Sequence, residues 1–116
     1  MIAISAVRFL LVLGIVYITV ENIENASQIA RELVSRRLAA CVNIFPVSSV
    51  YRWKEKIEED SEIAMFIKTD SSRFEDITRL VKSLHTYEMP AIEFWGIEGE
   101  QEYLNWIHVN SLGEEA

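Results

Sequence analysis

ACVNIFPVSSVYRWKEKIEEDSEIAMFIKT, residues 40–69, decides the fold. It is β-prone from Ala40 to Phe45, passes Pro46 and continues through Ser49 to Trp53, with a bulge or bend expected at the proline. Alternation puts Ser49, Tyr51 and Trp53 on one face of this strand. The charged run Lys54 to Asp60 reads as the tip of a hairpin, and Ile63 to Thr69 as its returning strand.

A helical pattern lies on each side of this hairpin. Downstream, Asp70 and Ser71 offer caps, and Phe74, Ile77, Leu80, Val81 and Leu84 form an apolar stripe ending near His85. There a protonated imidazole would complement the negative helix end. Upstream, cap residues between Asn22 and Ser27 precede Ala26, Ile29, Ala30, Leu33, Val34 and Leu38 at three- and four-residue spacing. Farther out, Ile15 to Val20 reads as a strand buried on both faces, and Ala91 to Ile97 as a fourth strand. Tyr103, Leu104, Trp106 and Ile107 then mark a short terminal helix.

The order is therefore β-α-β-β-α-β plus a helix, an α+β ferredoxin-like sandwich with both main helices on one sheet face. The other face carries aromatic residues and is expected to be covered by further copies of the chain.

With 116 residues and 50% apolar content, one domain is expected, burying about two-thirds of its unfolded surface. The divisions expected are an apolar extension at 1–11, the domain at 12–109 and a polar tail at 110–116. A net charge of −7 without a dense basic block argues against nucleic acid as partner. Cys41 is the only cysteine, which points to a reducing compartment, the cytoplasm. The apolar start of the chain carries Arg8 and lacks the charge order and cleavage pattern of a secretory signal, so a membrane role is not expected.

Three strings together, Leu38 to Asn43, Tyr51-Arg52-Trp53 followed by Ile57, and His85 to Pro90, resemble the CutA divalent-cation tolerance family. Lys68-Thr69 and Tyr103 to Ile107 fall in the same order, so the resemblance extends over about Val12 to Val109. It implies a ferredoxin-like subunit in a homotrimer of PII-like architecture, tolerance of divalent ions, and copper binding in some members. It implies no established reaction. Glu55 and Thr86 depart from the family pattern, which has glycine and proline there; altered hairpin geometry and a less rigid corner are the consequences expected.

For a metal, His85 and Glu88 are the candidate ligands, with Glu62 and Asp60 as contributors, in a site completed by a second subunit and taking Cu(II) or another divalent cation weakly. The alternative is a PII-like small-molecule sensor or protein-binding scaffold. In it Tyr51 and Trp53 line an intersubunit cleft, Lys68 meets a small anionic ligand, and Tyr87 closes the edge. Cys41 is expected to be structural, in the core. With no nucleophile beside a base, no glycine-rich phosphate loop and no metalloprotease helix motif, a non-enzyme requiring no cofactor is expected.

Overall fold

A computed structural model describes residues 12–113, and in it β1 (Leu13–Val20) is the strand around which the rest is arranged. It pairs antiparallel with β3 (Lys56–Asp70) on one side and β4 (Ile92–Gly96) on the other; β2 (Cys41–Trp53) flanks β3, giving the order β2-β3-β1-β4. With α1 (Ile23–Ser35), α2 (Phe74–Leu84) and α3 (Gln101–Asn110), this is the expected ferredoxin-like α+β fold with a terminal helix. The extension at 1–11 and the end of the polar tail lie outside the described residues.

Both main helices start where the caps predict. Asn22 accepts the Asn25 N–H at 2.8 Å, and Asp70 accepts the Ser72 N–H at 2.9 Å, opening a 3₁₀ turn (Ser71–Arg73) that leads into α2. Val16, Ile18 and Val20 of β1 and Met65 and Ile67 of β3 pack under Ala26, Ile29 and Leu33 of α1 and Ile77 and Val81 of α2, all fully buried. Each large apolar side chain in this layer contributes about 1.5–3 kcal/mol. The intervening Leu13, Ile15 and Tyr17 are only half-buried, so β1 is sealed on one face and not on both.

The hairpin departs from its sequence reading in two ways. Cys41 to Trp53 pairs with Lys68 to Lys56 in one unbroken register, and Pro46 lies opposite Ile63 without a bulge. β2 is an edge strand, where a missing donor is tolerated. The tip is only Lys54-Glu55, with φ of 50° and 73°, while Lys56 to Asp60 already belong to β3. Glu55 thus takes on the left-handed geometry that glycine would favour.

Because β1 pairs only with 63–70, residues 47–62 form a two-stranded arm beyond the four-stranded sheet, and the subunit measures 51 × 29 × 24 Å. On the face away from the helices, Tyr17, Phe45, Phe66 and Trp95 form a ring cluster with centroids 4.8–5.9 Å apart. α3 contributes the buried Ile107, and its Tyr103 hydroxyl meets the Lys68 Nζ at 2.9 Å.

Gly14 is needed for close approach: a Cβ there would sit 2.2 Å from the Trp95 carbonyl oxygen and 2.5 Å from the Phe94 ring. Gly14→Ala is expected to destabilise by about 3 kcal/mol. Glu55→Gly, relieving a left-handed side chain, is expected to stabilise by about 1 kcal/mol. Urea unfolding midpoints at one protein concentration check both; a stable Gly14→Ala protein would contradict the packing at that crossing.

Candidate functional site

α2 stops at His85, whose extended backbone (φ −80°, ψ 147°) turns the chain away while its N–H still bonds the Val81 carbonyl at 2.8 Å. The ring then fastens the corner. Nδ1 accepts the Tyr87 N–H at 3.0 Å, and Nε2 lies 2.7 Å from the Thr19 carbonyl oxygen at the end of β1. A carbonyl only accepts and a backbone N–H only donates, so this pairing selects the neutral ring with its proton on Nε2. The cationic imidazole expected at the helix end is not what these contacts use. His85 is a neutral tie between α2, β1 and the corner.

Tyr87 stacks edge-on against His85, with centroids 4.7 Å apart, and its hydroxyl donates to Glu62 Oε1 at 2.9 Å. Glu62 is a buried carboxylate of β3. Thr86, in place of the family's proline, donates to Glu21 at 3.0 Å and thereby ties the corner to the end of β1 by a hydrogen bond. Tyr51 donates to Asp60 across the arm. Burial, the Glu62 bond and the charges of Glu62, Asp60 and Glu21 hold the Tyr87 phenol far above its ordinary pKa. The Asp60 bond is the main cause pushing Tyr51 up to about 12. Tyr17 is raised too, by burial first and then by Glu62 and Glu93.

These contacts assemble an acidic corner at the root of the arm. Beside it runs a cleft of about 590 Å³ lined by Glu21, Glu24, Val47, Ser61 and Glu62 among others. Glu88 is exposed, 3.9 Å from Lys54. Among the described residues no three His, Cys, Asp or Glu side chains converge as a metal site. Both His85 nitrogens are already hydrogen-bonded, so the corner of one subunit offers carboxylates but no free imidazole lone pair.

The residues grouped from sequence as a ligand cleft are split within one subunit. Tyr51 and Trp53 lie near the arm's tip, whereas Lys68 lies opposite Cys41 at the far end of the hairpin, held by Tyr103 through its hydroxyl and its ring face at 5.1 Å. Ten residues of strand separate the two ends, roughly 33 Å. Cys41 is half-buried and shares the open face with Lys68 instead of entering the core, because strand parity gives the core to Val42 and Ile44. Sequence reasoning missed Glu21 and Tyr103. Glu62's position was signalled by parity, since it shares a face with Ala64, Phe66 and Lys68.

The family described as CutA1 divalent ion tolerance protein matches residues 14–110. Protein CutA of Mus musculus is 47% identical over 94 residues, covering 79% of this chain and 53% of its own. The chain thus spans about half the length of that relative. The divalent-cation tolerance protein CutA of Archaeoglobus fulgidus is 45% identical over 93 residues, covering 79% and 91%. A solved structure from that organism, described as a periplasmic divalent cation tolerance protein, superposes with a TM-score of 0.83 at 41% identity, covering 85% and 98%. A PII-like protein CutA from Nostoc in apo form superposes at 0.78 and 27%, covering 84% and 96%.

The two bonded phenols give folding an alkaline limit. The unfolded chain releases their protons near the ordinary value of 10.0, the folded chain only at higher pH. Above pH 10 the unfolded state therefore binds fewer protons; stability is full below that pH and falls as pH rises toward 12. Equilibrium unfolding between pH 8 and 12 is expected to show this fall, and Tyr51→Phe with Tyr87→Phe to flatten it. An equally steep fall in the double variant would assign it to other groups.

Proposed function

Because the chain belongs to the CutA1 divalent ion tolerance protein family, we propose that it is a homotrimeric, non-enzymatic protein of divalent-cation tolerance that binds cations weakly at the boundary between subunits. One observation carries this reading. The His85 to Pro90 corner gathers Tyr87 with Glu62, Asp60 and Glu21 at the root of an arm that, among the described residues, is paired only as two strands.

A two-stranded ribbon is marginal by itself. This one exposes Val50 and Ile57, and the sheet face beside it exposes Trp95. Neighbouring copies that cover these residues would stabilise the arm and bring further ligands toward the acidic corner. The copy number of three is what the resemblance to the CutA family implies, and the likeness to a protein named PII-like supports it. In this reading the protein works in the cytoplasm, a reducing compartment that its lone cysteine suits.

Carboxylates alone suit hard cations; an imidazole shifts preference toward copper. For His85 to serve, Nδ1 must release the Tyr87 N–H, which costs about 1 kcal/mol and keeps affinity low. Glu88 can then join it, since its exposed pair with Lys54 contributes little. The likeness to a protein named PII-like favours a second reading, a small-molecule sensor or protein-binding scaffold with Tyr51, Trp53 and Tyr87 facing a neighbouring subunit's Lys68. Glu21, Glu24 and Glu62 make the cleft beside the corner hostile to an anion, and so favour the cation reading.

Light scattering at micromolar concentration is expected to give three times the chain mass; a stable monomer sinks the assembly. Calorimetric titration of the assembled protein with Cu(II) and Zn(II) tests the corner. Glu62→Gln and His85→Ala are each expected to weaken Cu(II) binding about tenfold. Saturable binding untouched by both changes removes the corner as the site, and absence of metal binding leaves the sensor reading.

A further inference from the structure

The helix side of the subunit carries a concentration of positive charge that the cation reading does not use. In a chain of net charge −7, Arg36, Arg37, Arg73 and Arg79 gather at one end of the helix layer. Two of them have a structural role. Arg37 donates to the Val109 carbonyl at 2.9 Å, and Arg73 donates Nε to the Ser111 carbonyl at 2.8 Å and an Nη2 hydrogen to that of Leu112. Together they clamp the end of α3 onto the helices, where cations suit the carbonyl-rich helix terminus.

The clamp leaves a groove of about 480 Å³ with a guanidinium rim formed by Arg36, Arg73 and Arg79. Leu38, Leu80, Ser83 and Gly113 also line it, together with one carboxylate, Asp76, which is paired with Arg79. Arg36 and Arg79 each reach their acidic neighbours, Glu32 at 3.3 Å and Asp76 at 2.8 Å, through Nη2 alone. A guanidinium has five N–H donors in a planar fork, so most of the donors on these two remain for another acceptor. Both ion pairs are solvent-exposed helix-surface pairs and contribute little, so exchanging or sharing the carboxylate costs little. The volume lies in the range of small-molecule sites; Leu38 and Leu80 are the apolar part of a lining that is mostly polar and charged.

We propose that this groove binds a small molecule carrying an oxyanion, phosphate or carboxylate, on an apolar body: the oxyanion sits between Arg36 and Arg79, and the body lies on Leu38 and Leu80. Paired forks recognise planar or tetrahedral oxyanions by bidentate hydrogen bonds, which lysines in the same places would not reproduce. The groove lies on the helix side of the sheet, opposite the face that carries Tyr51, Trp53 and Lys68, and shares no lining residue with the cleft beside the acidic corner. The acidic corner repels the ligand that this groove attracts.

The test uses the full chain and three probes, inorganic phosphate, phenyl phosphate and benzoate, followed by amide chemical shifts and calorimetry. Saturable shifts at Leu38, Leu80 and Ser83 are expected with phenyl phosphate and benzoate, and weaker ones with inorganic phosphate, which lacks the apolar body. Arg36→Ala with Arg79→Ala should weaken phenyl phosphate binding about tenfold or more. Arg36→Lys with Arg79→Lys should recover only part of it, with folding monitored by circular dichroism. Arg73 is left intact because it holds the α3 terminus. No saturable binding at millimolar probe, shifts confined to other residues, or equal affinity in the alanine variant would each overturn the proposal. Binding of polyglutamate without binding of the small probes would overturn it too, making the groove a docking face for acidic chains.

Discussion

Everything in this subunit depends on the pairing of β2 with β3 in one register from Cys41–Lys68 to Trp53–Lys56. A strand shifted by one residue would turn every side chain to the other face. The observed register sends Val42, Ile44, Met65 and Ile67 toward the helices and leaves Phe45, Phe66, Glu62 and Tyr51 on the opposite side. The hydrophobic layer thus selects the alignment, and the alignment in turn places the polar groups. Glu62 meets Tyr87 because Met65 and Ile67 are buried.

The same ladder sets the shape. β1 is too short to accompany the hairpin beyond Val20–Ile63, so the pairing continues as a two-stranded arm. A buried layer supports one half of the hairpin, whereas among the described residues the other half is met by the corner, through Tyr87 to Glu62 and Glu88 to Lys54. The His85 to Pro90 corner stands at that boundary. Its two ring bonds, to Tyr87 and to Thr19, join α2 to β1, and Tyr87 carries the connection on to β3. Glu62 can remain buried there because a phenol donates to it.

Most of this architecture was legible in the chain. Period-3.6 apolar patterns marked the main helices, β-prone runs marked the strands, although β1 was read as buried on both faces, and Asn22 and Asp70 marked the helix starts. The extent of the arm was not legible, since a ribbon wet on both faces has no reason to alternate apolar with polar, and Lys56 to Asp60 therefore looked like a loop. Pro46 suggested a bulge because sequence does not reveal that β2 is an edge strand. At the site, the identity of the corner residues was visible but their state was not. The His85 tautomer depends on Thr19, 66 residues away, and the partner of Lys68 is Tyr103 in the last helix. Long-range hydrogen bonds of this kind leave no local pattern.

Charge is segregated along with structure. Carboxylates surround the corner on the arm, whereas arginines surround the end of the helix layer, where they first hold the α3 terminus. Mixed at short range, the two sets would neutralise each other through surface pairs that contribute little stability. Apart, they form a carboxylate-rich corner and an arginine-rich groove, the latter with Glu32 and Asp76 paired to two of its arginines. The core therefore does more than stabilise. By keeping Glu62 and Arg79 on different sides of the same sheet, it holds a carboxylate cluster and a guanidinium cluster apart within one net acidic chain.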